Sequence, residues 1–285
     1  MGATASRVDH WLLVEHSGYW PYDPLEASIF AGSVRDHLGR QLAQLRRARL
    51  LLIKRPGRFR QDRLRVVYGA SSERGRRFFG LEIRAHSDLV RLDFAGALEE
   101  GQPFGEPLSH PLLIVCTHGK RDRCCARYGQ QLCEALHKRA NPSWVWQSSH
   151  VGGDRFAGNL VCLPEGLYFG RVGPDRIEPV LDSYLAGRIN LDHYRGRSCY
   201  PFAVQAAELE VRRATGLSGF YDLRLVSRRR RAQDAWTVRL ETEVAGEVHE
   251  LEVEASWGDE AYLTCRADGP RRPRRFVVRS HRIVS

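Results

Sequence analysis

The sequence predicts an α/β (α+β) protein built in three regions, and three observations carry that expectation. Short apolar runs alternate with helical apolar periods as far as residue 200. Residues 99–110 bring Gly101, Pro103, Gly105 and Pro107 together with no period at all. From residue 222 onward apolar and polar residues alternate in twos. The regions are an N-terminal α/β region over 1–105, a second α/β domain over 106–200, and a helix plus antiparallel β-sheet extension over 201–285.

In the first region His10 to Glu15 reads as a strand, and Ser33 to Ala48 carries the helical period Val34, Leu38, Leu42, Leu45. Leu50 to Lys54 is a short buried strand stopped by Arg55-Pro56-Gly57, and further strands fall at Arg63 to Tyr68 and Phe78 to Arg84. In the second region Leu112 to Val115 is a buried strand running into Cys116. Gly129 to Arg139 is a helix with Leu132, Ala135 and Leu136 inward, and Trp144 to Gln147 is a strand. Asn159 to Leu163 and Leu167 to Arg171 flank Pro164-Glu165-Gly166 as a hairpin, and Ile177 to Ala186 closes the unit as a helix. The third region opens with a helix over Phe202 to Ala214 that ends at Gly216. Strands are expected at Asp222 to Ser227, Trp236 to Glu243, Glu247 to Ala255 and Ala261 to Arg266. No repeat is visible along the chain.

Composition narrows the function classes. The chain has 285 residues, 42 % of them hydrophobic, enough to bury a large core. No run of about 18 apolar residues exists to span a membrane, and no secretory signal is apparent, so the cytoplasm is the expected compartment. The formal charge of +10 favours acidic partners. Lysine occurs only at Lys54, Lys120 and Lys138, and the runs Arg228 to Arg231 and Arg271 to Arg275 read as solvated turns. Aromatics are not interleaved with these basic residues, which argues against specific nucleic-acid binding. Seven cysteines, two of them adjacent, do not make a secreted disulfide framework. Cys133, Cys199 and Cys265 are expected as core residues.

The segment that carries chemistry is Cys116-Thr117-His118-Gly119-Lys120-Arg121-Asp122-Arg123-Cys124-Cys125, followed by His150-Val151-Gly152-Gly153-Asp154-Arg155. Two paired ligand loops of this kind suit a small iron–sulfur cluster, because iron takes thiolates readily and histidine can replace cysteine on one iron. Gly152 and Gly153 allow a tight bend that can bring N–H groups toward sulfur. His118, Arg121 and Arg155 are candidates for groups that surround the ligands.

With Arg155-Phe156-Ala157-Gly158-Asn159 and Leu163-Pro164-Glu165-Gly166, this segment resembles the sucrase/ferredoxin-like family, whose members are thioredoxin-like ferredoxins. Trp11 to Glu15 and Pro201-Phe202-Ala203-Val204-Gln205-Ala206-Ala207-Glu208 extend the likeness over most of the chain. The resemblance implies a thioredoxin-like fold for residues 106–200 and a [2Fe–2S] cluster held by Cys116, Cys125 and His150. The family's second loop is H-x-x-x-H, but the fourth position here is Asp154. Asp154 as ligand, Cys124 or Cys162 in its place, and a weakly held or absent cluster are the three alternatives.

The expectation is therefore an electron carrier rather than a catalyst, serving an acidic redox partner protein. The alternative is a zinc-binding or metal-free thioredoxin-like binding module, since two Cys, a His and an Asp also make a zinc set. Thiol chemistry at Cys124-Cys125 and glycoside hydrolysis by Asp122 and Asp154 are weaker readings, as both carboxylates lie inside the ligand loops.

Overall fold

A computed structural model describes residues 1–26, 28–57, 62–73 and 76–284. The elements run β1 (His10–Glu15), α1 (Gly32–Gln44), β2 (Ala48–Lys54), β3 (Leu64–Ser71), β4 (Arg76–Ile83), α2 (Phe94–Glu99) and β5 (Glu106–Pro107). They continue with β6 (Leu112–Cys116), α3 (Arg123–Arg139), β7 (Val145–Ser148), β8 (Leu160–Leu163), β9 (Leu167–Phe169), α4 (Ile177–Leu185) and β10 (Tyr194–Arg197). The last part is α5 (Phe202–Thr215), β11 (Leu223–Ala232), β12 (Ala235–Thr242), β13 (Val248–Trp257) and β14 (Arg274–Val284).

The mixed α/β fold expected from the sequence is present. β1 to β10 form one ten-stranded sheet in the order β10-β9-β8-β6-β7-β2-β1-β3-β4-β5, and β11 to β14 form a separate antiparallel sheet. Within the large sheet the same topology occurs twice. β1 runs parallel to β2 and antiparallel to β3, which pairs antiparallel with β4; β6 runs parallel to β7 and antiparallel to β8, which pairs antiparallel with β9. Each half thus has the β-α-β-β-β-α order, and the halves join where β2 meets β7 antiparallel, Ile53 opposite Ser148 and Lys54 opposite Gln147. The sequence shows no such duplication because only the hydrophobic pattern is shared; the ligand residues belong to one half.

Alternation along β6 sorts its side chains between two cores. Leu113 and Val115 face the layer of α3 and α4 with Cys133 and Cys162, while Leu112, Ile114 and Cys116 face the other side with Cys125, Trp11 and Tyr168. In the third region α5 lays Val204, Ala207 and Val211 on Val238, Leu240, Leu251 and Val253 of the small sheet. Its C-terminus is closed by Gly216 at φ 75°, as its place after the last turn requires.

Three expectations are corrected. The last strand is β14, not Ala261 to Arg266, which is a loop crossed by one isolated bridge from Ala261 to Arg271. Arg228 to Arg231 lie in the exposed half of β11 rather than in a turn. Cys265 is exposed and disulfide-bonded to Cys124 instead of lying in the core. Helix α3 also begins six residues before the expected Gly129, because buried Asp122 caps it by accepting from the Cys124 N–H at 2.7 Å. Among the described residues no helix is long and apolar enough to cross a membrane.

Candidate metal centre

Cys116 ends β6, Cys125 sits in the first turn of α3, and His150 follows β7 by two residues, so strands and a helix N-terminus deliver all three to one place. Their donor atoms lie within 4.8 Å of one another, with the Cys116 Sγ 3.9 Å from the His150 Nδ1. Both thiols are buried and the imidazole is half-buried.

Close approach of α3 to β6 depends on Gly129. A Cβ there would fall on the Cys116 carbonyl oxygen, so this glycine sets the distance between Cys125 and Cys116. Sequence reasoning used Gly129 only as a helix start and missed this role.

The His150 loop is held from both halves of the sheet. The Ser149 N–H donates to the Leu52 carbonyl at 2.8 Å, and the Leu52 N–H donates to the Ser149 hydroxyl at 3.0 Å. The Val151 carbonyl accepts from Arg49 at 2.6 Å, Ser6 at 2.9 Å and Tyr168 at 3.3 Å. Buried Arg195 donates to the Gly152 carbonyl at 3.1 Å and to Asn159 at 2.7 Å, and Asn159 in turn donates to the Gly153 carbonyl at 2.9 Å. Only Asn159 of these carried a local signal, through the motif that contains it. Ser6, Arg49 and Arg195 reach the loop from far along the chain.

Gly152 and Gly153 both adopt left-handed backbone, at φ 94° and 86°. A Cβ on Gly152 would meet the Ser6 hydroxyl, and one on Gly153 would meet the Arg195 guanidinium. Gly153→Ala is therefore expected to cost about 2–4 kcal/mol by backbone strain and displacement of a buried cation. Gly101→Ala, also at positive φ but with open space around it, should cost only about 1 kcal/mol. Equal losses of unfolding free energy in denaturant would refute the clash.

The electrostatics divide the two thiols. The Cys116 pKa lies well below the usual thiol range, because its thiolate accepts from the Cys125 thiol, with further support from His150 and from the His118 N–H, against the opposing effect of burial. Cys125, as the donor of that pair and itself buried, is pushed strongly up. His118 is buried, with its Nε2 3.4 Å from the Trp20 carbonyl, and burial lowers its pKa. Arg121 stacks over Tyr22 at 3.9 Å, and Arg155 lies over Phe156 at 4.6 Å.

Asp154 does not join the donor group. Its Oδ1 lies 3.0 Å from the His150 Nε2, on the other side of the ring from Cys116, and has no aligned hydrogen-bond donor among the described residues. Burial pushes its carboxyl pKa up, the His150 charge opposing. Neither alternate for this corner is available. Cys124 is paired with Cys265, and Cys162 faces the opposite core, where burial holds it as a neutral thiol. Asp122 is spent on structure, its second oxygen accepting from the Cys265 N–H at 2.7 Å, which leaves no carboxylate pair for hydrolysis.

Of the four residues named as cluster ligands, Cys116, Cys125 and His150 converge and Asp154 stands beyond the His150 ring. The Cys116–His150 separation of 3.9 Å is close to the edges of a tetrahedral zinc site with sulfur and nitrogen ligands, about 3.5–3.8 Å, and Cys125 lies within 4.8 Å of both.

Comparison with known proteins bears on the same point. The chain is 32 % identical over 118 residues to "Altered inheritance of mitochondria protein 32" of Eremothecium gossypii, covering 36 % of this chain and 36 % of that protein. It is 33 % identical over 101 residues to the protein of that name in Meyerozyma guilliermondii, covering 32 % and 36 %. The match to the Saccharomyces cerevisiae protein of that name is 29 % over 108 residues, covering 32 % and 34 %. The chain therefore spans about a third of the length of these curated relatives. No solved structure matches it. The expectation of an electron-transfer protein is corrected accordingly: the relatives' name states no electron-carrying role, and the ligand set is one donor short. The sequence model described as "Sucrase/ferredoxin-like" matches residues 1–196, more than half of the chain and both ligand loops, and the chain belongs to that family.

Proposed function

We propose that the chain is a metal-binding module in which Cys116, Cys125 and His150 hold a single soft divalent cation, zinc by preference. The observation that supports this is the convergence of two thiol sulfurs and one imidazole nitrogen within 4.8 Å. Thiolate and imidazole together suit zinc better than the hard, oxygen-seeking cations. Cys116 supplies a thiolate already favoured by its surroundings, and Cys125 supplies a second on losing its proton. Asp154 lies 3.0 Å from the far nitrogen of His150, the place from which a carboxylate orients a ligating imidazole. Three protein ligands leave a fourth position for a further donor. No catalytic step is proposed at this centre. Free Cys116 and Cys125 are the ligating form.

Titration of the metal-free protein with cobalt(II) tests this reading. One equivalent should give the intense near-ultraviolet bands of thiolate ligation, and zinc should displace it. Asp154→Asn should keep those bands, since no ligand is lost, while zinc affinity falls about 10–100-fold in competition with a chelator. Absence of thiolate bands with all thiols reduced would remove the metal-binding reading.

A further inference from the structure

Beside the candidate metal centre, Asp154 to Ala157 with Arg171 form one wall, and the loop before β14 with the start of that strand forms another, of a cleft of about 800 Å³. A second cleft of about 410 Å³ shares Asp154, Arg155 and Phe156 with it and reaches His150. Three guanidinium groups gather round one ring on the first wall: Arg155 at 4.6 Å, Arg195 at 4.8 Å and Arg171 at 5.8 Å from the centre of Phe156. The Arg171 N–H donates to the Phe156 carbonyl at 2.8 Å, which fixes the second arginine beside the first.

These charges are not balanced locally. Among the described residues neither Arg155 nor Arg171 has an ion-pair partner, and Arg195 donates only to Thr4, Gly152 and Asn159. The one carboxylate lining either cleft is Asp154, which lies against His150. On the opposite wall Arg275 is paired with Asp259 at 3.0 Å, on the exposed side. Burial together with Arg275 and Arg171 lowers the Arg155 pKa, so these cations repel one another across the cleft.

We propose that this cleft binds an organic phosphate, its phosphate group held by Arg155 and Arg171 and its organic body lying along the exposed rings of Tyr128 and Tyr262. Paired guanidinium groups bind phosphate oxygens through charge-assisted hydrogen bonds. The cleft is much larger than a phosphate ion needs, and its aromatic lining offers a surface for an uncharged body. Arg155 and Arg171 are not donors of the neighbouring thiol centre, so the assignment holds whether or not a metal is bound there.

Calorimetric titration of the full chain at constant ionic strength, with adenosine 5′-diphosphate and with inorganic pyrophosphate as probes, tests the assignment. The diphosphate nucleotide should bind with one-site saturation and more tightly than pyrophosphate. Arg155→Gln and Arg171→Gln should each weaken it about tenfold or more, the loss of one hydrogen bond to a charged group. Arg229→Gln, on the exposed half of β11, should leave the affinity unchanged. Equal affinity for the two probes would overturn the organic body. Equal weakening by Arg229→Gln, or no saturable heat from either probe, would overturn the site. Unchanged circular dichroism in the variants separates lost binding from lost fold.

Discussion

Glu208→Gln is expected to destabilise the fold by about 3–5 kcal/mol, the cost of stripping from a buried cluster of cations the carboxylate that, among the described residues, pairs with them. Glu208 is 1 % exposed and lies 3.1 Å from the Arg212 Nη2 and 3.9 Å from the Arg197 Nη2, both of them buried. It also accepts from the Tyr194 hydroxyl at 2.9 Å. Burial alone would lower the Arg197 pKa, but the Glu208 carboxylate, with Tyr194, Tyr200 and Cys199 adding to it, outweighs burial and pushes the pKa up. Arg197 depends on that charge more than most, since its Nε and Nη1 have no hydrogen-bond partner. Glutamine keeps the shape and removes the charge, leaving two uncompensated cations between β10 and α5. Denaturant unfolding monitored by circular dichroism measures the loss. A change below about 1 kcal/mol would mean that the cluster is hydrated or that neighbouring groups reorganise to neutralise it.

Glu208 also shows what the sequence could and could not convey. The stretch Pro201 to Glu208 is visible as a motif, and its period already gives helix α5. Its polar members are explained only by contacts at long range. Gln205, fully buried, accepts from the Ala5 N–H at 3.1 Å and donates to the carbonyls of Ala5, Arg197 and Tyr200 at 3.1, 3.2 and 2.9 Å. Together Gln205 and Glu208 fasten the third region to the N-terminal segment and to the large sheet.

The same division runs through the candidate site. Cys116, Cys125 and His150 follow from spacing and strand ends, because a residue that terminates a buried strand has its position fixed by the strand's pairing. Asp154 stands outside the three-donor group because the left-handed turn at Gly152 and Gly153 carries it to the Nε2 side of the His150 ring. Cys124 was expected in the first ligand loop. Once Asp122 starts α3 there, adjacent helical residues point about 100° apart, so Cys125 turns inward and Cys124 outward toward Cys265. The missed strand at β14 has a plainer cause: Arg274 to Val284 is basic and half-exposed, so its alternation is masked by charge on both faces.

Cys116→Ser should lower zinc affinity about 100-fold or more, beyond the range for loss of a group that merely orients a ligand, while Cys162→Ser should leave it unchanged. The two thiols belong to neighbouring strands of one sheet and are both fully buried, but they face opposite cores, so burial and loss of a sulfur are matched and only place differs. Protonation adds a second, independent readout. In the metal-free pair Cys125 keeps its proton, because that proton is shared with the Cys116 thiolate and burial disfavours a second negative charge. Ion binding must displace it. Uptake of one zinc ion near neutral pH is therefore expected to release at least one proton, so affinity rises with pH and falls as acid restores the thiols. Calorimetry in two buffers of different ionisation enthalpy counts the released protons. Cys125→Ser should reduce the count, since its hydroxyl has no proton to yield in this range. A count unchanged by that substitution would place the released proton elsewhere and take Cys125 out of the ligand set.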